Sequence, residues 1–247
     1  MSQSDQFNGR LGLIFASIGA AIGTGNIWRF PRMVGANGGG TFLIPWLIFL
    51  FAWSIPLVIA EYAMGKRSRT GTIGTFRIFA GRRFAWMGLW TAWISTAIGF
   101  YYAVVSGWTL KYFQLGITGA LSGEKVDTTE VWNAFLQSPG QVIFFQFVVI
   151  LLVLGTIWKG AKAIEKVNFY LMISLFALLF LTLFLSLWMD LSDGSLDGAL
   201  FMFTVDFDML LEPEVWINGL SQSAWSCSAG MGMCITYAVY MSKDEDT

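Results

Sequence analysis

Two short stretches, far apart in the chain, hold residue types that could bind small charged groups inside an otherwise apolar sequence. The first, GAAIGTGN from Gly19 to Asn26, is an apolar run cut by Gly19, Gly23 and Gly25, with Thr24 and Asn26 adding side-chain oxygens. The second is Ser226-Cys227-Ser228-Ala229-Gly230-Met231-Gly232, again small hydroxyl residues with two glycines. Glycine costs a helix up to about 1 kcal/mol against alanine, so such clusters favour an opening. In hydrocarbon an opened helix leaves backbone groups unpaired, and it persists only where it lines a cavity or holds a ligand. At the first break the carbonyls of Gly19, Ala21 and Ile22 make a partially negative helix end, which suits a cation. The segment restarting at Gly25 presents a partially positive end, which suits a carboxylate. The alternative is structural: Gly19-x-x-x-Gly23 as a helix-packing face, with Asn26 and Ser226 hydrogen-bonding between helices. That alternative leaves unexplained Gly25-Asn26 directly beside it and the second interrupted stretch.

Other chemistry is sparse. Arg29 and Glu61 fall at membrane depth, where a charge marks function by default; Arg32 can snorkel to the outer surface. Tyr102 lies mid-span with a hydroxyl that needs a partner, although ordinary packing would also account for it. The chain has no histidine, which excludes imidazole metal sites and His-dependent catalysis. Cys227 and Cys234 share one apolar segment and read as small buried residues. An enzyme would need a nucleophile or acid–base pair, and the spans contain no clustered carboxylates. A channel would need a continuous polar pore, whereas the fourth and fifth apolar segments are almost purely hydrocarbon.

The elements that must position these residues are membrane helices. The composition is 55% hydrophobic and only 13% charged, against about 25% charged in a soluble domain. Hydropathy predicts six spans at about 11–35, 41–64, 84–113, 141–158, 167–189 and 214–241, with Pro45 and Pro56 as bends in the second. From Leu11 to Ala21 a helix rises roughly 16 Å, about half a bilayer core, which places the first break near the midplane. The connection from Lys66 to Arg83 has six Lys/Arg and no acid, and the connection after span four has Lys159, Lys162 and Lys166 against Glu165. The connection from Asp190 to Glu214 has seven acids and no base. These loops place the N-terminus in the cytoplasm. Spans one and six therefore run in opposite directions, and two interrupted spans so related point to an inverted-repeat transporter with its site between the breaks.

The residues Gly23-Thr24-Gly25-Asn26-Ile27-Trp28-Arg29-Phe30-Pro31, then Asn37-Gly38-Gly39-Gly40 and Phe42-x-x-Pro45, resemble the neurotransmitter:sodium symporter family. Gln222 to Gly232 followed by Ile235-Thr236-Tyr237-Ala238 resembles that family's sixth helix. The resemblance is strongest to its bacterial amino-acid transporters, the bacterial leucine transporter type, and covers the whole chain. It implies an all-α polytopic membrane protein of the cell (inner) membrane, with six transmembrane helices. These would be the first repeat of a five-plus-five inverted-repeat transporter plus the first helix of the second repeat, with helices 1 and 6 broken. The expected activity is sodium-coupled symport of an amino acid by alternating access, with no nucleic-acid partner. Because the family has about twelve helices, the chain is expected to be an N-terminal half lacking helices 7–12. It would then be a non-transporting fragment, a half-transporter needing a second chain, or part of a dimer; an ion channel is the remaining alternative.

The resemblance also implies ligands. One sodium would be held by the Ala21 carbonyl, Asn26, Ser226 and the substrate carboxylate, and a second by the Gly19 and Ile22 carbonyls with residues of an eighth helix. Tyr102 with the Thr24 and Gly25 amides would bind the substrate carboxylate. The Ala21, Trp225 and Ser226 carbonyls and the Ser228 hydroxyl would meet the amine, while Ile98, Trp225 and Met231 wall the side chain. Arg29, with Trp225, would form the outer gate, and Glu61 would stabilise the opened backbone. Glycine at Gly23, where monoamine carriers have aspartate, implies a substrate bringing its own carboxylate. Trp46 replaces the usual tyrosine of a chloride site made with Gln222 and Ser226, so chloride is expected to be dispensable. Phe7 and Ser4 depart from the usual inner-gate residues, and Thr24 from a usual leucine.

Overall fold

The computed structural model describes residues 14, 17–19, 21–22, 25–122, 126–158, 160–192 and 196–241. Every regular element among them is helical. The helical residues before the first break end at Ala21, and Ile22 N donates to Ile18 O at 2.8 Å. Thr24, Phe7, Ser4 and Gly23 lie outside the described residues. A widened π-helical turn, Gly25–Arg29, leads into α1 (Phe30–Ala36), with Pro31 in its first turn, where a missing N–H costs nothing.

The second predicted span is α2 (Gly40–Phe49), a π-helical turn (Leu50–Ser54) and α3 (Ile55–Ser68). Pro56 has no N–H to give to the preceding turn, and the helix widens there while staying continuous. A short amphipathic helix, α4 (Thr72–Phe79), connects to α5 (Ala85–Ile117). Then follow α6 (Thr128–Leu136), capped by Asp127 accepting from Thr129 N and Glu130 N, α7 (Pro139–Ile157) and α8 (Ala161–Ser192). Two short helices, α9 (Asp197–Phe201) and α10 (Phe207–Leu210), precede α11 (Pro213–Cys227) and α12 (Met233–Val239).

Four of these helical stretches are long and apolar enough to cross a membrane: Gly40–Ser68, Arg82–Ile117, Pro139–Ile157 and Ala163–Ser192. The predicted sixth span is instead two helices of 15 and 7 residues, too short singly to cross a bilayer core. The fifth helix begins six residues before the predicted 167, because a helix continues past the apolar run that hydropathy sees. α7 has no buried residue, and α5 and α8 expose apolar side chains along most of their length, as helices do in hydrocarbon.

The second span is the scaffold for the sixth: α11 packs on α2, α12 on α3. Both contacts are glycine-mediated. A Cβ on Gly219 would fall 3.0 Å from Trp46 N, and one on Gly65 would fall 2.3 Å from Ile235 O. Between them the interior is polar: Ser54 Oγ donates to Ser223 Oγ at 2.9 Å, and Asn218 Nδ2 to Asn37 Oδ1 at 3.0 Å. The connection between α8 and α11 is tied down by Asp206 N donating to Thr41 Oγ1 at 2.8 Å.

Gly65→Ala should therefore force α12 off α3, costing about 1–3 kcal/mol as overpacking does. Gly99→Ala, where no atom lies within 4 Å of the added methyl, should leave stability unchanged or raised. Thermal melting of the two variants in detergent checks this; equal melting temperatures would contradict the close approach.

Candidate functional site

The opening of the sixth span is built from left-handed backbone. Ser228 has φ 55°, Gly230 φ 78° and Gly232 φ 74°, and α12 starts only after Gly232. Glycine takes such angles without steric cost, so two of the three turns of direction need Gly230 and Gly232. The freed backbone groups find side chains. Gly232 N donates to Glu61 Oε1 at 3.3 Å, Ser95 Oγ donates to Met231 O at 2.5 Å, and Thr236 Oγ1 donates to Gly232 O at 3.1 Å. Glu61 is 3% exposed, so this buried acid serves the opened backbone and not solvent.

At the first break one side chain closes both openings. Asn26 Nδ2 donates to Ala21 O at 2.7 Å and to Ser226 O at 3.2 Å, joining residues 200 apart in sequence. Asn26 Oδ1 accepts from Ser226 Oγ at 2.8 Å. Gln222, wholly buried, aims its Nε2 at Asn26 Oδ1, Gly25 O and Ser226 Oγ at 3.3–3.4 Å. Its Oε1 accepts from the Arg29 guanidinium, which also donates to Ser221 Oγ at 3.1 Å.

A cavity of about 540 Å³ opens beside this cluster, with Gly25, Arg29, Ile98, Tyr102 and Trp225 in its wall. A Cβ on Gly25 would lie 3.6 Å from the Tyr102 hydroxyl and 3.9 Å from the Trp225 ring, so a larger residue would narrow the cavity floor. Thus Ala21, Asn26 and Ser226 come together in one cluster, and Gly25, Ile98, Tyr102, Trp225 and Arg29 in the adjoining cavity. Ser228 and Met231 are buried and are not in its wall; Met231 contributes its carbonyl to Ser95. Gly19 stands apart, where a Cβ would be 3.7 Å from the Asn168 side chain, and half-buried Ile22 follows Ala21 at the helix end.

The donors at the first cluster, Ala21 O, Ser226 O, Ser226 Oγ and Asn26 Oδ1, are uncharged hard oxygens, a set that fits sodium. Among the described residues no group of three His, Cys, Asp or Glu side chains comes together, so a transition-metal site has no ligands there. The anion corner fits less well. Ser226 Oγ donates to Asn26, and Gln222 is shared between Asn26 and Arg29, which leaves the buried, unpartnered Trp46 Nε1 as the donor at hand.

Comparison with known proteins decides the family. The sequence model described as "Sodium:neurotransmitter symporter family" matches residues 4–138 and 134–247. The chain belongs to the sodium:neurotransmitter symporter family. Among similar symporter-family proteins, an uncharacterized sodium-dependent transporter, YhdH of Bacillus subtilis, is 31% identical over 98% of this chain and 53% of its own length. The sodium-dependent neutral amino acid transporter SLC6A17 of Rattus norvegicus is 31% identical over 97% of this chain and 37% of its own. The crystal structure of MhsT in complex with L-phenylalanine matches with TM-score 0.87 and 34% identity, over 98% of this chain and 55% of that one. The chain thus spans about half the length, or less, of the relatives it matches. It is a multi-pass membrane protein of a transporter family, as its sequence motifs implied.

Sequence reasoning missed several partners. Ser95 follows Thr91 by four residues and precedes Ile98 and Tyr102 at helical spacing, so a polar stripe on α5 was visible as a signal. Ser221 and Asn168 carried none, because their roles arise only from packing. Ser95→Ala should cost about 0.5–1.5 kcal/mol by stranding the Met231 carbonyl. Thr96→Ala should cost little, since Thr96 Oγ1 bonds only to Ala92 O of its own helix. Melting temperatures of the two variants test this, and equal values would remove Ser95 from the support of the break.

Proposed function

We propose that this protein is the sodium-binding half of a symporter that carries an amino acid with an apolar side chain by alternating access across the cell membrane. The observation that carries the reading is the Ala21–Asn26–Ser226 cluster set directly beside the cavity of Gly25, Ile98, Tyr102 and Trp225. In this reading the chain crosses the membrane six times with its N-terminus in the cytoplasm. Its first five spans form one repeat, which needs a second, inverted repeat to rock against.

The roles follow from donor and acceptor types. Sodium would lie against Ala21 O, Ser226 and Asn26, with the substrate carboxylate as its outer ligand. Tyr102 OH and the backbone N–H of Gly25 and Thr24 would hold the carboxylate. Carbonyls of Ala21, Trp225 and Ser226 would take the amine. The second sodium would use Gly19 and Ile22 with ligands from the other repeat. Ile98 and Trp225 supply an apolar wall of a size that suits an aromatic or large aliphatic side chain, and L-phenylalanine in MhsT supports that choice. Met231 adds adaptable bulk. Glycine at Gly23 favours an amino acid over a monoamine. Chloride is not required, because one unpartnered indole N–H does not make an anion site. Arg29 closes the cavity from outside.

If sodium and the substrate carboxylate touch, each must raise the other's affinity by the same factor, roughly 5- to 150-fold in typical couplings. Binding of labelled L-phenylalanine by the protein joined with its second repeat, at several sodium concentrations, tests this. Asn26→Ala should raise the sodium half-saturation and weaken amino-acid binding at fixed sodium, with high sodium restoring part of it. Ser226→Ala should do so more mildly, because its main-chain carbonyl remains. An unchanged sodium half-saturation in Asn26→Ala would make the residue a helix pin and remove it from the ion site.

A further inference from the structure

The short helix α4 (Thr72–Phe79) turns its polar side inward and its apolar side outward. Its buried residues are the threonines Thr72 and Thr75, while Ile73, Arg77 and Ile78 are exposed, Ile78 by 58%. Helical spacing sets these three away from the threonine side. The inward polar groups are satisfied within the protein: Thr75 Oγ1 donates to Thr70 O at 3.0 Å and pairs with Ser68 Oγ at 2.7 Å. Close contacts on the threonine side stop the helix from rolling to bury its isoleucines. A Cβ on Gly88 would fall 2.5 Å from Thr72 O, and one on Gly232 would fall 2.6 Å from Thr72 Cγ2.

Eight residues rise about 12 Å, too little to cross a bilayer core, so spanning does not explain the outward isoleucines. Phe79, Phe84 and Trp86 are exposed as well, the last two at the start of the span Arg82–Ile117. Charge says what covers this face. Arg77, Arg82 and Arg83 are exposed, and the connection from Lys66 to Arg83 holds no acid. Among the described residues no carboxylate pairs with any of the three. A guanidinium fork meets a phosphate through two parallel hydrogen bonds. Basic groups beside an outward apolar face are the pattern of a helix lying in a lipid surface. A covering protein segment would have to bring acids and apolar side chains together, whereas an anionic phospholipid carries phosphate and acyl chains in one molecule.

We propose that α4 and the turn Arg82–Phe84, which leads into α5, form a binding surface for anionic phospholipid. Headgroup phosphates lie on Arg77, Arg82 and Arg83, and acyl chains lie against Ile73, Ile78 and Trp86. The arginine stems run along the apolar surface while their heads reach the phosphates. Lipid bound here covers the isoleucines and neutralises the guanidiniums at once. The surface stands on where this connection meets the bilayer and is independent of the ion and amino-acid sites.

Native mass spectrometry of the full chain, released from micelles with dioleoylphosphatidylglycerol and dioleoylphosphatidylcholine at several mole fractions, tests this by counting retained lipid. Phosphatidylglycerol should be retained in preference. Arg77→Gln, Arg82→Gln and Arg83→Gln should each weaken its retention about five-fold, the equivalent of roughly 1 kcal/mol for a basic side chain at a lipid surface, and leave phosphatidylcholine unchanged. Replacing Lys159, Lys162 and Lys166 by glutamine removes the same charge from the other basic connection and should change retention far less. No preference for phosphatidylglycerol, unchanged retention in the arginine variants, or an equal loss in the lysine variant would each overturn the proposal. A second measurement reads the apolar side directly. A nitroxide on Ile78→Cys in phosphatidylglycerol nanodiscs should collide with oxygen more than with a water-soluble nickel chelate, after subtraction of the unsubstituted chain labelled in the same way. Preference for the chelate would place this face in water, and access to neither would place protein over it; both results would overturn a lipid contact.

Discussion

The structure depends on the cost of leaving backbone groups unpaired in hydrocarbon, several kcal/mol for each. Two helices are opened, and groups freed at both openings meet side chains. Ala21 O and Ser226 O meet one amide nitrogen of Asn26. Gly25 O meets Gln222, Met231 O meets Ser95, and Gly232 N meets Glu61. These partners come from four different helical segments, so the openings hold the bundle together as much as the bundle holds them. The same openings gather main-chain oxygens at one point, and that is what makes the point attractive to a cation.

Support for this arrangement comes from the second span. It stays continuous through Pro45 and Pro56 by widening at Leu50–Ser54, and it carries one half of the interrupted helix on each side of the widened turn. Glycines at Gly219 and Gly65 bring the backbones close enough that small hydroxyl and amide pairs replace apolar packing. Arg69, just past the end of α3, donates to the carbonyls of Val239, the last residue of α12, and of Met241 beyond it. The scaffold therefore shares in capping the second half of the broken helix, beside the N–H groups of Tyr240 and Met241. Charge and backbone complement each other there as they do at Glu61.

Much of this was legible in the sequence, for definite reasons. Clustered glycines announce an opening whatever surrounds them, and both openings lie where Gly19–Asn26 and Ser226–Gly232 placed them. Apolar length announces a membrane helix, so four predicted spans reappear as long helices with ends shifted by a few residues. The fifth began early because Lys162, Glu165 and Lys166 end a hydropathy run without ending a helix. What could not be read was pairing. Gln222 was visible only as part of an anion corner, and its commitment to Arg29 and Asn26 depends on where α11 sits against the first break. The Met231 carbonyl, set between two left-handed glycines and met by Ser95, likewise carried no signal in the sequence.

The central claim is that one ion and one amino acid share a boundary between the two openings. Equilibrium dialysis of radioactive sodium against the protein joined with its second repeat, with and without L-phenylalanine, addresses it most directly. Sodium bound at a subsaturating concentration should rise when the amino acid is added and should not rise with phenethylamine, which lacks the carboxylate. Sodium binding indifferent to both compounds would contradict a shared boundary, and would leave the Asn26 cluster as a structural joint between two broken helices.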